Sequence, residues 1–348
     1  MLINCKSVGS QGDPVYVIAE LSANHNKDYD KAVELIKIAK ECGADAVKLQ
    51  TYTADTITID SDREEFRLKE GSLWSGKKLY DLYQEAYTPW DWQPKLMKLA
   101  NELGMDLFSS PFDKTAVDFL EEINVPAYKI ASCELVDIPL IRYVAKKNKP
   151  VLISIGIGRL QEIEEAIDAV RENGNDQIAL LKCTSAYPTL PEELNLITIP
   201  DLIKRFNVPI GISDHSPGST AAVMAVTLGA KIVEKHIALS RNDPGPDSAF
   251  SMEPKEFKEM VDSIRFAEKA LGAVNYKPTV NEQESLNNRR SLYVVEDINA
   301  GEVLTENNIR SIRPGHGLLP KSMDLVLGKK ALGDISRGTP LAEELIEK

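Results

Sequence analysis

The chain has 348 residues, of which 43% are hydrophobic and 27% are charged, as in an ordinary globular protein with room for one large core and a small second domain. Its formal charge of −12 argues against nucleic acid or an anionic membrane surface as a partner, although a local cluster of cations can still bind a small anion. The sequence lacks the run of roughly 20 apolar residues that a membrane span needs. We do not expect the start, MLINCKSVGSQGDP, to act as an export or organelle signal.

Short apolar segments alternate with longer amphipathic segments along most of the chain. Continuous rather than alternating hydrophobicity is typical of strands that are covered on both faces. This pattern predicts β-strands at residues 15–21, 45–52, 106–112, 127–132, 150–156, 178–187, 209–215 and 232–239.

The amphipathic segments between these strands predict helices. Residues 29–43 carry an apolar stripe and end at Gly43, a residue typical of a helix C-terminus. Comparable helices are predicted at 88–104, 159–174 and 219–230. Eight strands alternating with helices predict an α/β fold of the (β/α)8 TIM-barrel type. A doubly wound open sheet is the alternative, because the pattern alone does not show closure.

One long insertion, residues 53–87, follows the second predicted strand. Segments of this length in compact domains are usually functional or disordered. The aromatic residues Trp74, Tyr80, Tyr83 and Tyr87 argue against disorder. We therefore expect a lid or wall over the mouth of the barrel, with a decorative insertion as the alternative.

The alternation of strands and helices ends after residue 273. Residues 274–288 are polar and predict a linker. Residues 289–348 contain short strand-like stretches and turns at Asn299–Gly301 and Arg337–Gly338, which predict a small β-rich domain. The expected organisation is therefore a barrel domain (1–273), a linker (274–288) and a C-terminal domain (289–348).

Polar side chains collect at the C-terminal ends of the predicted strands, where a barrel of this type keeps its active site. Lysines near three strand ends, Lys48, Lys129 and Lys182, with serines among them, favour a phosphate or carboxylate site over isolated structural ion pairs. The two-residue period of a strand places three pairs on common faces: Lys48 with Gln50, Ser213 with His215, and Glu234 with His236.

Two of the four histidines end neighbouring strands of the predicted barrel. His215 and His236 would then point into the same mouth, where two neutral imidazoles with open positions predict a divalent-metal site. Two hydrogen-bonded core histidines are the alternative. His25 is interpreted as structural or substrate-facing, and His316 is expected to be exposed.

Two carboxylates are further candidates for the site. Glu20 ends the first strand, where burial would raise its pKa and suit it to general acid/base catalysis. Asp247 follows a rigid Pro-Gly-Pro turn and is interpreted as a ligand of a substrate hydroxyl, a solvated carboxylate being the alternative.

The cysteines Cys5, Cys42, Cys133 and Cys183 are widely spaced and form no CxxC pair. This spacing predicts reduced thiols in a cytoplasmic protein rather than a disulfide framework. Cys133 and Cys183 lie near the expected mouth, and we interpret both as small buried apolar side chains rather than nucleophiles.

These residues belong to motifs that resemble the sialic acid synthase family over essentially the whole chain. Within that family the motifs are most similar to the pseudaminic acid branch. The segment RRSLYVVEDINAGEVLTENNIRSIRPGHGL resembles the antifreeze-like (SAF, β-clip) domain that follows the barrel in those synthases. The barrel motifs, in chain order, are AELSANHN, ADAVKLQTY, SSPFD, YKIAS, KCTSAYP, GISDHSPG, EKH and GPDSAFSMEP.

The resemblance implies that phosphoenolpyruvate condenses with the aldehyde of an open-chain N-acetylated amino sugar, giving a sialic-acid-type 2-keto acid and phosphate. For the pseudaminic branch the acceptor is 2,4-diacetamido-2,4,6-trideoxy-L-altrose, with N-acetylmannosamine or the legionaminic acid precursor as alternatives. The resemblance also implies a divalent metal ion, Mn2+ or Mg2+, and a domain-swapped homodimer whose small domains cover the partner's barrel mouth. A metal-dependent aldolase and a non-catalytic sugar-binding protein are the alternatives from other functional classes.

The resemblance also implies residue roles. Ser185 departs from the asparagine of the sialic acid branch but remains a hydrogen-bond donor. Phosphoenolpyruvate contacts fall on Lys48, Lys129, Ser132, Ser154, Ser185 and Ser213. Metal ligands fall on His215 and His236, which together with Glu20 form the predicted catalytic set. Sugar contacts fall on Glu20, Gln50, Tyr187, Asp247 and, from the partner chain, Arg313.

Overall fold

The structure is a computed structural model that describes residues 1–10, 12–68 and 76–348. It divides into two compact units, Met1–Gly272 and Ala273–Lys348. Trp74 of the predicted wall lies outside the described residues. Within the described residues, no helix combines the length and the apolar character that crossing a membrane requires.

The first unit is built on a closed barrel of eight parallel strands that pair in chain order. A short antiparallel hairpin, β1 (Leu2–Ile3) and β2 (Lys6–Ser7), precedes it. The last barrel strand pairs with both its predecessor and the first barrel strand, so the predicted barrel is confirmed and an open sheet is excluded. The barrel strands are β3 (Tyr16–Glu20), β4 (Ala46–Thr51), β5 (Asp106–Pro111), β6 (Tyr128–Ile130), β7 (Val151–Ser154), β8 (Ile178–Cys183), β9 (Ile210–Asp214) and β10 (Ile232–His236).

Helices connect the barrel strands. Asp28 caps the first helix because its carboxylate accepts from the backbone N–H groups of Asp30 and Lys31, and Gly43 follows its end at φ +89°. The helices of this unit are α1 (Tyr29–Glu41), α2 (Ala54–Ile57), α3 (Leu79–Ala86), α4 (Gln93–Glu102), α5 (Lys114–Glu122), α6 (Ile138–Ala145), α7 (Leu160–Arg171), α8 (Thr198–Phe206), α9 (Thr220–Thr227) and α10 (Pro254–Leu271).

The core lies in and around the barrel, where apolar side chains of the strands face the helices and the barrel interior. Ile18, Leu49, Phe108 and Leu180 are among the fully buried members of this core. Strands that are covered on both faces account for the continuous apolar runs of the sequence.

The insertion after β4 contains α2, a 3-10 turn at Glu64–Phe66 and α3. Arg67 and Lys78 form an antiparallel bridge between its two described arms. The ring of Tyr83 in α3 packs edge-on against Tyr52 at the end of β4, with centroids 5.6 Å apart. The described parts therefore form an ordered wall beside the C-terminal ends of the strands.

The second unit is small and β-rich. Its antiparallel strands β11 (Ser291–Val294) and β12 (Ile309–Ile312) are accompanied by the short helix α11 (Met323–Val326). Turns occur at Gly301 and Gly338, both with φ near +80° to +90°, where a glycine is favoured. Its own apolar core is formed by Leu292, Val294, Ile298, Leu304, Ile309, Val326, Ala331, Ile335, Leu341 and Ile346.

Candidate active site

A cavity of about 450 Å3 opens at the C-terminal ends of the barrel strands. With the exception of Glu20 and Lys182, the barrel residues that the sequence analysis assigned to the site border this cavity. These residues are Lys48, Gln50, Lys129, Ser132, Ser154, Ser185, Tyr187, Ser213, His215, His236 and Asp247.

Two lysines and two glutamates form a buried ionic network, which we call the ionic floor: Glu20, Lys48, Lys129 and Glu234. Lys48 Nζ lies 2.6 Å from Glu20 Oε2 and 3.7 Å from Glu234 Oε1. Lys129 Nζ lies 3.5 Å from the same oxygen of Glu234. The two positive and two negative charges offset one another, which is what burial of four ionisable groups requires.

Burial and neighbouring charges act in opposite directions on the ionic floor. Burial raises the pKa of Glu20, and the nearby charge of Glu234 raises it further. Burial would also raise the pKa of Glu234, but Lys129 and Lys48 outweigh it and hold that pKa below its usual value. Burial lowers the pKa of Lys129. The pKa shifts of neighbouring groups in the floor therefore differ in direction, a pattern that is common at functional sites.

Serine hydroxyls surround the lysines. Lys129 Nζ donates to Ser154 Oγ at 2.7 Å, and Ser213 Oγ donates to Glu234 Oε1 at 3.0 Å. Ammonium and hydroxyl donors that converge in one cavity can together bind a phosphate or a carboxylate.

Gly156 is a site residue that the sequence analysis missed. A Cβ at this position would lie 2.5 Å from Ser185 Oγ and 2.7 Å from Ser132 Oγ, and the backbone N–H of Gly156 donates to Ser132 Oγ at 3.2 Å. Only glycine leaves both hydroxyls in place. The available signal was a glycine two residues beyond the last residue of β7.

Lys182 does not face the cavity, so the three-lysine argument is wrong for this residue. Its Nζ donates to Cys183 O at 3.0 Å and to Thr184 Oγ1 at 3.2 Å, and its side chain borders a separate cavity of about 730 Å3. Successive side chains of a strand point to opposite faces. Because Cys183 borders the mouth, Lys182 is directed away from it.

A hydrogen-bonded chain joins the ionic floor to the rim of the cavity. Gln50 Nε2 donates to Glu20 Oε1 at 3.0 Å and to Ser22 Oγ at 3.2 Å, and Ser22 Oγ donates to Asp247 Oδ2. Burial raises the pKa of Asp247. Glu20 is fully buried and does not border the cavity, so it communicates with the cavity through Lys48 and Gln50.

The two histidines lie side by side, with ring centroids 5.3 Å apart. Thr184 O lies 3.0 Å from His215 Nδ1. The Nδ1 atom of His236 is buried and has no hydrogen-bond partner among the described residues. Burial lowers the pKa of His236 well below its usual value, which favours the neutral imidazole that binds metals.

The histidine pair fits a divalent cation to which the protein contributes two ligands. Two adjacent imidazoles, one with an unpartnered buried nitrogen, form a suitable donor set for such an ion. Among the described residues, no group of three or more His, Cys, Asp or Glu side chains is arranged to hold a metal. The remaining coordination positions would therefore go to substrate and water.

The other two histidines lie outside the cavity lining. His25 is buried, its Nε2 lies 3.0 Å from Thr88 Oγ1, and its ring packs edge-on against Trp92. Burial lowers the pKa of His25 to about 4. The structural interpretation of His25 therefore fits better than the substrate-facing one. His316 is exposed, as expected.

The four cysteines are all free. Cys183 is buried as expected. Cys133 is exposed, contrary to the expectation, because it lies in the 3-10 turn after β6. Burial would raise the pKa of Cys183, but contact with His215 and other neighbours brings it down to about 7. This thiol borders the mouth and is more acidic than the interpretation as an inert apolar side chain implied.

Glu134 also borders the cavity, although the predicted site did not include it. Its Oε2 atom has no hydrogen-bond partner among the described residues. Burial raises the pKa of Glu134 to about 7.

The side of the cavity formed by the insertion is apolar. Aliphatic side chains supply most of this side, and Tyr83, one of the aromatic residues that argued against disorder, also borders the cavity. The side chains of the insertion that line the cavity are here named the apolar wall. They are Ile57, Leu68, Leu79, Leu82, Tyr83 and Ala86.

Arg313 belongs to the second unit, where it follows β12 and its side chain is exposed. It is the one predicted sugar contact outside the first unit.

Two family models match the chain. The model described as the NeuB family matches residues 35–276, and the model described as the SAF domain matches residues 289–347. The second match lies within the β-rich unit and agrees with the antifreeze-like domain expected there.

The chain is similar over nearly its whole length to several known proteins. It is 46% identical to a pseudaminic acid synthase of Campylobacter jejuni, covering 94% of this chain and 96% of that one. It is 36% identical to an N,N'-diacetyllegionaminic acid synthase of Legionella pneumophila, covering 95% and 94%. The crystal structure of the spore coat polysaccharide biosynthesis protein SpsE of Bacillus subtilis matches with a TM-score of 0.67 and 35% identity, covering 100% and 99%.

Proposed function

This chain belongs to the NeuB family, and we propose that it condenses phosphoenolpyruvate with 2,4-diacetamido-2,4,6-trideoxy-L-altrose to give pseudaminic acid and phosphate. The observation that carries the reaction class is one cavity that combines Lys48, Lys129, a group of serines and a pair of histidines. The acceptor is supported by sequence similarity, since identity is 46% to a pseudaminic acid synthase and 36% to a legionaminic acid synthase.

Phosphoenolpyruvate binds between the lysines and the serines in this proposal. Lys129 and Ser154 are already hydrogen-bonded at 2.7 Å, so the ammonium is held in place before the anion arrives. Ser132 and Ser185 flank Gly156 and provide further donors for phosphate or carboxylate oxygens. Holding both ends of phosphoenolpyruvate directs its C3 carbon towards the sugar aldehyde, which is catalysis by positioning.

The reaction forms one C–C bond and breaks one C–O bond. The enol electrons of phosphoenolpyruvate C3 attack the aldehyde carbon, the aldehyde oxygen gains a proton, and C2 becomes electron-deficient. Water adds to C2 and loses a proton. The tetrahedral C2 then expels phosphate by cleavage of the C2–O bond, its hydroxyl proton passes to the departing phosphate, and the 2-keto acid remains.

Glu20 is proposed as the group that exchanges a proton with the sugar. Its carboxylate reaches the cavity through Lys48, 2.6 Å away, so a proton passes between Glu20 and the sugar by way of the ammonium group. Gln50, Tyr187 and Asp247 border the cavity and are proposed to bind the sugar.

His215 and His236 are proposed to hold a divalent ion, Mn2+ or Mg2+. When bound, this ion supplies Lewis acidity that stabilises negative charge on the aldehyde oxygen. The two imidazoles would hold this ion, and the ring of Phe250 packs against His236 with ring centroids 5.1 Å apart.

A homodimer with exchanged small domains is the proposed assembly. Arg313 is exposed in the second unit and is proposed to reach the N-acyl group of the sugar in the partner's barrel. The reaction is proposed to take place in the cytoplasm, where the free cysteines would stay reduced.

Phosphate release provides the test of the reaction. Phosphate should appear only when phosphoenolpyruvate, the diacetamido-trideoxy sugar and Mn2+ or Mg2+ are all present. N-acetylmannosamine and the legionaminic acid precursor, assayed side by side, should turn over far more slowly. Equal turnover with N-acetylmannosamine would contradict the proposed acceptor, and release of phosphate that EDTA does not affect would contradict the metal.

Subunit exchange tests the swapped dimer. Arg313→Ala and Lys129→Ala dimers should each be inactive. After mixing and exchange of subunits, mixed dimers combine one intact barrel with the partner's intact Arg313 and should regain partial activity. Absence of rescue, with exchange demonstrated by mass spectrometry, would indicate that each chain completes its own site.

A further inference from the structure

We propose that the apolar wall binds the C6 methyl group of the acceptor and thereby selects 6-deoxy sugars. This inference rests on the proposed function, because it concerns the acceptor of that same reaction. It assigns a purpose to a side of the cavity that the proposed binding of phosphoenolpyruvate and metal does not use.

The core of the wall is one face of α3. Leu79, Leu82, Tyr83 and Ala86 follow the i, i+3, i+4, i+7 spacing, and all four border the cavity. Gln84 follows Tyr83 in the chain, lies outside this apolar face and is exposed. An amphipathic helix normally buries such a face against a core, whereas α3 presents part of it to an open cavity.

Neighbouring segments extend and support this face. Ile57 at the end of α2 and Leu68 after the 3-10 turn continue it within the insertion. Behind it, the ring of Tyr52 packs edge-on against Tyr83 at 5.6 Å and against Phe112 at 5.2 Å. Tyr52 is almost fully buried, so the wall is attached to the barrel at the end of β4.

The chemistry of the substrates determines which one benefits from this surface. Phosphoenolpyruvate is a compact anion, and the lysine and serine side of the cavity provides its partners. A hydroxyl group pressed against the aliphatic side chains of the wall would lose hydrogen bonds to water and find none there, whereas a methyl group would gain from burial.

The geometry of the acceptor matches this division. An open-chain hexose carries its reacting aldehyde at C1 and its C6 group at the other end. With the aldehyde at the lysines and histidines, C6 is directed away from them. The wall belongs to the loop that follows the C-terminal end of β4, above the strand residues Lys48 and Gln50. We therefore assign the C6 methyl group to this wall.

The test compares two acceptors that differ at one position: the diacetamido-trideoxy sugar and its 6-hydroxy analogue. Because an apolar pocket rejects an added hydroxyl by about 100-fold at most, we expect a preference of roughly that size in kcat/KM for the 6-deoxy sugar. Ile57→Thr and Leu79→Asn should each reduce this preference about 10-fold, mainly by raising KM for the 6-deoxy sugar. The KM for phosphoenolpyruvate should not change.

Ile59 provides a matched control. It lies two residues from Ile57 and is 59% exposed, and Ile59→Thr makes the same chemical change outside the cavity. This variant should keep the preference of the unsubstituted enzyme. If Ile57→Thr and Leu79→Asn also keep it, or if the unsubstituted enzyme uses both sugars equally, the inference is wrong and the proposed reaction stands. Absence of phosphate release with either sugar would instead overturn the proposed function, and the inference with it.

A binding measurement keeps the test decisive if a substituted protein fails to fold. In saturation-transfer NMR on the unsubstituted enzyme with phosphoenolpyruvate omitted, irradiation of Leu and Ile methyl groups should transfer most strongly to the C6 methyl protons of the sugar. Stronger transfer to other sugar protons, with the C6 methyl weak, would overturn the assignment.

Discussion

The carboxylate of Glu234 lies within ion-pairing distance of Lys129, with Glu234 Oε1 3.5 Å from Lys129 Nζ. Lys48 Nζ lies 3.7 Å from the same oxygen. The proposed anion must therefore compete with an internal carboxylate for both lysines. Burial lowers the pKa of Lys129, and the charge of Glu234 opposes that shift, so replacing Lys129 tests both the ion pair and the binding of the anion.

Lys129→Met should raise KM for phosphoenolpyruvate and lower kcat/KM by about 30-fold or more, because truncating one member of a buried charge pair costs roughly 2–5 kcal/mol. Steady-state kinetics with varied phosphoenolpyruvate would measure this. Lys98→Met is the control, since the side chain of Lys98 is 80% exposed and its ion pair with Glu102 is long at 3.9 Å. Equal effects of the two changes would contradict the role of Lys129.

Gly156→Ala should displace the hydroxyls of Ser132 and Ser185, because its Cβ would lie within 2.7 Å of both oxygens. We expect KM for phosphoenolpyruvate to rise about 10-fold, the scale of one or two lost hydrogen bonds. Gly333→Ala serves as the control, since no atom lies within 4 Å of an added Cβ there. An unchanged KM in Gly156→Ala would argue that these serines do not bind the anion.

His215→Ala and His236→Ala should each weaken Mn2+ binding at least 10-fold, because either change leaves one protein ligand. Titration calorimetry on the substrate-free protein measures this independently of turnover. His316→Ala changes an exposed histidine of the second unit and should leave the affinity unchanged. Full Mn2+ affinity in both site variants would place the metal elsewhere.

Lys235→Met should destabilise the protein by about 3–5 kcal/mol, the usual cost of leaving a buried charge unpaired. Lys235 Nζ lies 2.6 Å from Asp214 Oδ2, both side chains are at most 2% exposed, and the pair joins β9 to β10 at the residues that precede His215 and His236. Urea unfolding would measure the change. The control is Arg142→Met, whose ion pair with Glu172 is exposed, so its cost should stay below about 1 kcal/mol.

Glu134→Gln should change how stability depends on pH. Burial raises the folded-state pKa of Glu134 to about 7 from an ordinary value of 4.5, so the folded state binds more protons between those values and loses stability as pH rises through them. The two proteins should be about equally stable at pH 5, and Glu134→Gln should be more stable at pH 8 by about 1–3 kcal/mol. Parallel stability curves in this range would contradict the raised pKa.

The strand pattern predicted that several polar side chains lie at one cavity. Lys48 and Gln50, two residues apart in an apolar strand, border one cavity because the side-chain period of a strand is two. Lys182 was placed at the mouth only because it lies near a strand end, whereas its neighbour Cys183 borders the cavity and the two side chains point to opposite faces. The two-residue period does not by itself show which of the two faces each side chain takes.

Other features depend on contacts between residues far apart in the chain. Glu20 occupies a strand end as predicted, yet it lies beneath Lys48 and Gln50 instead of in the cavity. Gly156 matters because of Ser132, 24 residues earlier in the chain. A local sequence pattern does not reveal such contacts, because they form only when the strands pair.

The amino-acid sequence by itself determined the alternation of strands and helices, the polar strand ends and the motifs of the family, because each depends on residues close together in the chain. The tertiary structure alone decided that β10 closes on β3, that Glu234 lies between two lysines, and that α3 presents its apolar face to the cavity. Closure of the barrel sets these relationships, because it brings side chains from separate strands and loops to the same place.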